Sequence, residues 1–412
     1  MATAQAESRS GFFGWHVVAA AFTYAIFAWG IGFYGLSVFL YAIHDARGWP
    51  LSLISAAITA HYLVSAALVA CLDDAHRRFG LAATTRGGVL ALAAGVLGWG
   101  LAAAPWELFV AATLTAIGWS ATSSAAINAM LAPWFRRRRG LALSLAFNGA
   151  SIGGVLFVPL WTVLIGRLGL PGAASAVAAV TLALLWWLAG RYLAPTPESM
   201  GLGADGDVAS AGACAAAASA DPVSRSTLFR HRGFLTLSGA FALGLFSQVG
   251  LVAILVSLLV PTLGEGGAAG AVSLTSSCAV LGRLLLGAFI DQLDRRRAAA
   301  GNFALQSAGL ILLLLGKGSA SVLSGCVLFG LGLGNLVSLP PLIAEREFAT
   351  GDLGRVVALA IAVNQAFFSF APAVFGALHD FSGGFAAPLM LALALHLTAA
   401  ALILGGGKRV PV

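Results

Sequence analysis

Charged residues are scarce in this chain of 412 residues. Asp, Glu, Lys and Arg make up 9% of it, whereas hydrophobic residues make up 59%; an ordinary soluble domain carries about 25% charged residues. The four cysteines, Cys71, Cys214, Cys278 and Cys326, have neither disulfide nor metal-site spacing. No cluster of His, Cys and acidic residues could support catalysis either. We therefore expect no metal, no cofactor and no enzymatic activity.

Acidic residues are also missing from the interior of the apolar segments. All 16 Asp and Glu residues fall in loops or at or near the ends of apolar runs. A carrier of cations ordinarily needs a carboxylate inside the membrane to hold its substrate or its proton. This distribution therefore argues against a cationic substrate.

Long apolar runs fill most of the chain, whose mean hydropathy is +0.92. Runs of about 20 residues can cross a bilayer as helices that satisfy their own backbone polar groups. Twelve such runs are found, at roughly 14–40, 50–72, 87–104, 107–133, 141–165, 172–193, 234–260, 268–290, 299–315, 320–343, 355–378 and 384–404. The sequence therefore predicts an all-α polytopic membrane protein with twelve transmembrane helices.

Lys and Arg are distributed unequally between the two sets of loops. If the N-terminus is cytoplasmic, 19 lie on the cytoplasmic side and 3 on the other; Arg283, inside a span, completes the 23. The positive-inside rule then predicts a multi-pass protein of the inner (plasma) membrane with both termini in the cytoplasm. Because topology accounts for the net charge of +7, we expect no nucleic-acid partner.

The chain divides into two halves that resemble each other. Residues 194–232 are rich in Pro, Gly, Ser and Ala and predict a flexible cytoplasmic linker between a six-helix half at 1–193 and another at 233–412. "LVACLDDAHRR" (68–78) aligns with "LGAFIDQLDRR" (286–296), and "LSLAFNGA" (143–150) with "LAIAVNQA" (359–366). Secondary transporters built from two such halves bind substrate between them near mid-membrane.

At these residues the chain resembles the major facilitator superfamily over its full length. The loops that follow the second and eighth spans are similar to the superfamily signature, in which Gly, Asp and a basic cluster close the cytoplasmic side. The first half departs from it at Val69, where the signature has glycine. The resemblance implies gating roles for Asp73, Arg77, Gly287, Asp291, Asp294 and Arg295.

A closer resemblance lies in "GWHVV" (14–18) and "APWFRRRRGLALSLAFNGASIGG" (132–154). These segments are similar to the monocarboxylate transporter family and its bacterial relatives, which include the oxalate/formate antiporter. The resemblance implies a secondary active transporter that moves a small organic anion, most simply a monocarboxylate, by alternating access. Transport would be symport with a proton or antiport against a second anion. We expect a monomer in the lipid bilayer.

Arg283 interrupts an apolar span. It lies eight residues before Asp291, about 12 Å along a helix and so close to the middle of a core about 30 Å thick. A guanidinium there costs roughly 2.5–3.5 kcal/mol on insertion scales. It could be a structural or gating residue bonded to helix carbonyls, or an anchor for a carboxylate. We favour the anchor, because no acid inside the spans neutralises it.

The resemblance supports the anchor and also shows departures. Arg283 matches the substrate-binding Arg of span 8 in monocarboxylate transporters, but the Asp four residues earlier is Ala279 here. The family's proton-handling Lys in span 1 falls at Tyr34, and proton coupling is therefore not predicted. The antiporter's second basic residue, in span 11, is replaced by Asn364 and Gln365. One cationic anchor suits a monoanion better than a dianion.

Other polar residues inside the spans are candidates for the same cavity. His61 lies one turn from Ser65, the repeat equivalent of Arg283, and its ordinary pKa of about 6.5 suits proton exchange. Tyr34 and the repeat-related pair Asn148 and Asn364 are our other substrate-binding candidates. For each of these, a hydrogen bond between helices is the competing interpretation.

Two other functions are less consistent with the sequence, a drug or amphiphile exporter and a membrane sensor or enzyme. A drug or amphiphile exporter of the same fold usually has Gly-Pro before a Gly pair in span 5, whereas "GASIGGVLF" (149–157) has no proline there. A membrane sensor or enzyme would need a loop domain or a catalytic cluster, and apart from the linker every loop is short. The anion transporter is therefore the predicted function, with the exporter as its alternative.

Overall fold

The computed structural model describes residues 12–206, 228, 230–348 and 353–406. Regular structure in these ranges is helical, without β-strands, as predicted. Ten helical stretches are long and apolar enough to cross a membrane: Gly14–Arg47, Leu51–Val69, Leu81–Leu101, Pro105–Leu131, Arg139–Leu193, Arg232–Phe289, Arg295–Leu315, Ser319–Glu347, Leu359–Ser382 and Ala386–Leu404.

Fifteen α-helices make up these stretches and the segments between them. They are α1 Gly14–Gly32, α2 Tyr34–Arg47, α3 Leu51–Ala70, α4 Leu72–Phe79, α5 Leu81–Leu101, α6 Pro105–Thr122, α7 Ser124–Leu131, α8 Arg139–Leu188, α9 Arg232–Phe289, α10 Arg295–Leu315, α11 Ser319–Leu333, α12 Asn335–Glu347, α13 Leu353–Phe368, α14 Ala371–Ser382 and α15 Ala386–Leu404.

Two of the helices are far longer than one crossing requires. α8 has 50 residues and α9 has 58, whereas a crossing takes about 20. Each contains one glycine in the left-handed region, Gly169 at φ 68° and Gly264 at φ 70°. Residues with a Cβ rarely adopt this conformation, so glycine allows the helical path to be interrupted there. Each length matches about two crossings, while the total of twelve spans stays a prediction.

The chain forms two compact units. The first comprises residues 1–33, 67–154 and 164–218, and the second comprises 34–66, 155–163 and 219–412, each as far as it is described. Two segments of the predicted N-terminal half thus pack with the C-terminal helices. The predicted halves at 1–193 and 233–412 describe the sequence repeat, whereas the compact units describe packing.

The first unit is held together by close contact between α1 and α8. A Cβ at Gly149 would lie 2.2 Å from the Phe22 carbonyl oxygen, and one at Gly153 would lie 2.5 Å from that of Ile26. The Tyr24 hydroxyl also donates to the Leu185 carbonyl, at 2.5 Å. Glycine at these two positions therefore lets α1 and α8 approach closely.

In the second unit, α3 and α14 cap each other's N-termini. The Ser52 N–H, in the first turn of α3, donates to Asp380 Oδ2 of α14 at 2.7 Å. The Ala373 N–H, in the first turn of α14, donates to Thr59 Oγ1 of α3 at 3.0 Å. First-turn N–H groups have no partner within their own helix. Each helix therefore supplies the acceptor that the other lacks.

Close contact between α9 and α11 brings Arg283 to the break that follows α11. A Cβ at Gly282 would lie 1.9 Å from the Leu331 carbonyl oxygen, and one at Gly330 would lie 2.5 Å from that of Thr275. Neither position leaves room for a side chain. The residue after Gly282 is therefore held against the end of α11.

Candidate functional site

Two interrupted helices frame the candidate site in the second unit. α1 and α2 are separated by Phe33, whose φ of −125° and ψ of −68° are not helical, and Tyr34 comes directly after it. α11 and α12 are separated by Gly334. Interrupted membrane helices free backbone polar groups, which are tolerated where protein groups satisfy them or where a cavity is lined.

Arg283 reaches the second of these interruptions. Its side chain is half-buried, and Nε donates to the Gly334 carbonyl at 3.4 Å. Within the described residues no acidic group acts on the guanidinium. The structural interpretation of Arg283, a bond to a helix carbonyl, is thus realised for Nε alone.

Tyr34 and Tyr62 lie near this guanidinium. Tyr34 is 5% exposed. Its hydroxyl hydrogen-bonds with the Ser276 side chain and lies within electrostatic range of the Arg283 guanidinium. Tyr62 is buried and interacts with Tyr34, and its ring packs edge-on against Phe368 with 6.0 Å between centroids. We call Arg283, Tyr34, Tyr62 and Ser276 the Arg283 cluster.

The composition of the Arg283 cluster suits an anion. A guanidinium offers planar donors that match a carboxylate, whereas the Ser276 hydroxyl already donates to the Val272 carbonyl at 3.0 Å. Burial strengthens such interactions because the surrounding helices exclude water. The cluster can therefore bind a carboxylate, and it provides no opposite charge for a cation.

Two of the remaining candidates lie in the second unit with this cluster. His61 is fully buried on α3 beside Tyr62, with 5.1 Å between ring centroids. Asn364 is buried on α13, one turn before Phe368 and so on the same face of the helix. Asn148 is half-buried on α8 and belongs to the first unit. His396 on α15 bonds to the Ala392 carbonyl and to Gln306.

Two members of the site, Ser276 and Tyr62, were missed in the sequence. Ser276 precedes Arg283 by seven residues, two turns on one helix face, which is a signal that could have been read. Gly334 lies in the glycine-rich "GLGLGN" (330–335). Nothing in the sequence indicates Tyr62, because it belongs to the site only through its proximity to Tyr34 on another helix.

The predicted gating residues of the first half form an exposed group on α4. Arg77 makes ion pairs with both Asp73 and Asp74, and all three side chains are largely exposed. Such exposed pairs contribute little to stability, about 0–1 kcal/mol each. A gating role for them stays a prediction.

The predicted gating residues of the second half are more firmly held. Arg295 donates to the Leu342 carbonyl and to Glu345 Oε2, and Asp294 caps α10 by accepting from the Arg297 N–H at 2.9 Å. Space is open around Gly287. The side chain of Asp291 lies outside the described residues.

Arg296, which sequence reasoning missed, is the most fully bonded of these residues. Its side chain is 8% exposed. It pairs with both carboxylate oxygens of Glu347 and donates to Thr236 Oγ1 and to the carbonyls of Ile403 and Gly233. These bonds join α10 to the start of α9 and to the ends of α12 and α15.

The start of the predicted linker is bound to the basic loop before α8. The N–H groups of Arg136, Arg137 and Arg138 donate to the Asp205 carboxylate at 2.7–3.3 Å, and the Asp205 side chain is only 4% exposed. Burial alone would raise the pKa of this carboxyl, but these donors outweigh it and hold the pKa below its usual value. Much of the remaining linker, with Cys214, lies outside the described residues.

Metal-binding clusters are not found in the described ranges, where no group of three or more His, Cys, Asp or Glu side chains could hold a metal ion. Cys71, Cys278 and Cys326 are free thiols. The chemistry available at the site is therefore that of the Arg283 cluster.

Ten membrane-length helical stretches in the described ranges define a polytopic helical membrane protein. Comparison with known families narrows the class. The family model of the Major Facilitator Superfamily matches residues 20–372, and the chain belongs to this superfamily.

Curated relatives are similar over part of their length. "MFS-type transporter 1" of Ophiocordyceps sp. (strain BCC 1869) is 31% identical over 180 residues, 42% of this chain and 39% of the relative. "MFS-type transporter pynF" of Aspergillus niger is 26% identical over 223 residues, 52% of this chain and 45% of the relative. The chain thus spans less than half the length of these relatives.

Solved structures share the fold. A bacterial homolog to the human lysosomal transporter Spinster, in an inward-facing and occupied conformation, has a TM-score of 0.69 at 14% identity, covering 97% of this chain and 98% of that one. The same homolog in an inward-facing and unoccupied conformation also gives 0.69 at 14% identity, covering 98% and 100%. The fold is therefore that of this superfamily.

Proposed function

We propose that this protein is a secondary active transporter that moves a small organic anion, most simply a monocarboxylate, by alternating access. One observation carries the proposal. Arg283 is half-buried among apolar helices, no acid acts on it in the described part of the chain, and Tyr34 lies beside it. The bound anion is then the counter-charge of this arginine.

The energetics favour a monoanion. A guanidinium within the membrane costs roughly 2.5–3.5 kcal/mol on insertion scales, and the Gly334 carbonyl offsets only part of this through Nε. A carboxylate on the remaining nitrogens would balance the charge and make bidentate hydrogen bonds. In the antiporter that the chain resembles, a basic residue of span 11 holds the second charge of a dicarboxylate, whereas this chain has Asn364 and Gln365 there, which cannot neutralise it.

We also infer that the chain crosses the inner (plasma) membrane twelve times, in two six-helix halves, with both termini in the cytoplasm. The double lengths of α8 and α9, each with a left-handed glycine, support the number. The division of Lys and Arg between the loops, 19 against 3, supports the orientation.

Coupling could use either a proton or a second anion. Ala279 and Tyr34 replace the residues that would form a charged proton relay. His61 is fully buried beside Tyr62 and is our candidate for proton exchange in a symport mechanism. Anion exchange requires no titratable group, because the second anion returns the site to its starting charge.

Uptake by proteoliposomes tests the proposal. The wild type, Arg283→Gln and the control Arg297→Gln, which changes an exposed arginine, are compared with labelled formate, lactate, pyruvate, oxalate and aromatic acids. We expect uptake of a monocarboxylate and a kcat/KM at least about 30-fold lower in Arg283→Gln, since losing one partner of a buried charge pair costs about 2–5 kcal/mol. The control should match the wild type.

Two results would contradict the proposal. Arg283→Gln could transport as well as the wild type, which would make Arg283 structural. Alternatively, only neutral or cationic amphiphiles could be carried, and the drug or amphiphile exporter would then replace the anion transporter.

A further inference from the structure

At the break between α11 and α12, where Gly334 interrupts the regular helical hydrogen bonding at φ −70° and ψ −21°, the carbonyls are bonded by side chains from four parts of the second unit. Four consecutive carbonyls each accept a side-chain donor. Asn335 Nδ2 donates to Leu331 at 3.2 Å, Asn302 Nδ2 to Gly332 at 3.2 Å, Gln248 Nε2 to Leu333 at 2.9 Å and Arg283 Nε to Gly334 at 3.4 Å. The donors come from α12, α10 and two parts of α9.

The three amides are buried, between 4% and 6% exposed. A buried amide that lacks its partner costs about 1–3 kcal/mol, and so does a carbonyl left without one. Asn302 and Asn335 are also bonded to each other, since Asn335 Nδ2 donates to Asn302 Oδ1 at 2.9 Å. Moving the Gly334 backbone would have to disrupt this set of bonds together.

Among these four carbonyls, that of Gly334 is the one that accepts from a charged donor, Arg283. Its oxygen is also approached by the Ser338 hydroxyl at 3.5 Å. A Cβ at this position would lie 2.7 Å from the Ala279 carbonyl oxygen, 2.9 Å from Arg283 Nη2 and 3.2 Å from Nε. Glycine is therefore required for the guanidinium to lie against the backbone.

The bond to Gly334 decides which edge of the guanidinium is available. A carboxylate can bind a guanidinium through Nε with one terminal nitrogen, or through the two terminal nitrogens. Since Nε is engaged by the Gly334 carbonyl, the terminal pair Nη1 and Nη2 remains for the anion. The orientation of the anion thus depends on where Gly334 is held.

We propose that Gln248 and Asn302 are positioning residues for the transported anion. By holding the break between α11 and α12, they keep the Gly334 carbonyl on Arg283 Nε, so that the carboxylate meets the two terminal nitrogens. Neither amide touches the anion. This inference rests on the proposed function and adds the residues that set the geometry of its site.

Uptake kinetics of the full-length protein in proteoliposomes test the inference, with the labelled monocarboxylate that the wild type carries as the probe. Gln248→Leu removes the donor to Leu333 at similar volume. Ser247→Ala is the matched control, because Ser247 is equally buried and donates to the Ala392 carbonyl at 3.1 Å, away from the break. Gly334→Ala acts on the guanidinium directly.

We expect Gln248→Leu and Gly334→Ala to raise KM about tenfold with kcat within about twofold, because binding geometry is impaired. Ser247→Ala should change neither constant. In an Arg283→Gln background, Gln248→Leu should cause no further rise in KM, since the group that it positions is gone.

Different outcomes would overturn the positioning role alone or the proposed transport function as well. An unchanged KM in folded Gln248→Leu, or the same rise in the Arg283→Gln background, overturns the positioning role and leaves the transporter standing. A wild type that carries none of the anions overturns both. If Gln248→Leu does not fold, Gly334→Ala decides, and its unchanged KM has the same meaning.

Discussion

Replacing Arg296 with Met removes the most fully bonded side chain at this end of the second unit. All five N–H donors of a guanidinium are available for hydrogen bonds, and Arg296 makes five: two to Glu347 and one each to Thr236, Ile403 and Gly233. Met has similar length and keeps the apolar contacts. The substitution therefore isolates the charged head group.

The expected loss follows from the exposure of the two partners. Breaking a buried ion pair costs about 3–5 kcal/mol, because the remaining charge stays buried. Arg296 is 8% exposed but Glu347 is 25% exposed, so water can partly hydrate the carboxylate that is left. We therefore expect about 3 kcal/mol, the lower end of this range. Arg296→Lys keeps the charge but has three donors, and should lose about half as much.

Equilibrium unfolding in detergent, followed by circular dichroism, measures this effect. The control is Arg297→Met, which removes a neighbouring exposed arginine and leaves the Asp294 cap on its backbone intact. The free energy of unfolding should fall in the order wild type, Arg296→Lys, Arg296→Met, with Arg297→Met equal to the wild type. Equal stability of Arg296→Met and wild type would refute the reasoning, as would an equal loss in both Met variants.

Two more predictions concern other contacts. Asp205→Asn should lower the hydrogen-exchange protection of amides 136–138 about tenfold, whereas Glu198→Gln, an exposed change nearby, should not; unchanged protection would show that the carboxylate is dispensable. Folding lowers the pKa of Asp205, so the stabilisation from its carboxylate is present above the unfolded pKa of about 3.9 and is lost as the pH falls below that value. Below this pH the protection of amides 136–138 should therefore fall in the wild type and not in Asp205→Asn. Asp380→Ala and Thr59→Val remove the two caps shared by α3 and α14. Each should cost about 1 kcal/mol of unfolding free energy, and a double variant no less stable than either single one would contradict independent caps.

The sequence alone was sufficient for the class and helical content of this protein. Apolar runs of about 20 residues have few stable solutions in a bilayer, because backbone polar groups must be satisfied inside each segment. The rarity of charge within those runs also singled out Arg283 as the residue to explain. Tyr34, chosen with it, does lie beside it in the structure.

Contacts between helices could not be predicted in the same way. In "DRRR" (294–297), Arg296 and Arg297 are neighbours of the same type, and the phase of α10 after its Asp294 cap decides that Arg296 is buried and Arg297 exposed. The proximity of Tyr62 to Tyr34 depends in the same way on how α2 and α3 pack. Sequence spacing gives the face of one helix, not its rotation against another.

The break at Gly334 depends most fully on tertiary structure. Glycines in "GLGLGN" (330–335) permit an interruption, but its carbonyls are satisfied by Gln248, Arg283 and Asn302, which lie between 30 and 85 residues away. Buried carbonyls need donors wherever the fold can supply them. The sequence by itself determined that an arginine lies among apolar helices, and only the packing of α9, α10 and α11 decided what holds it there.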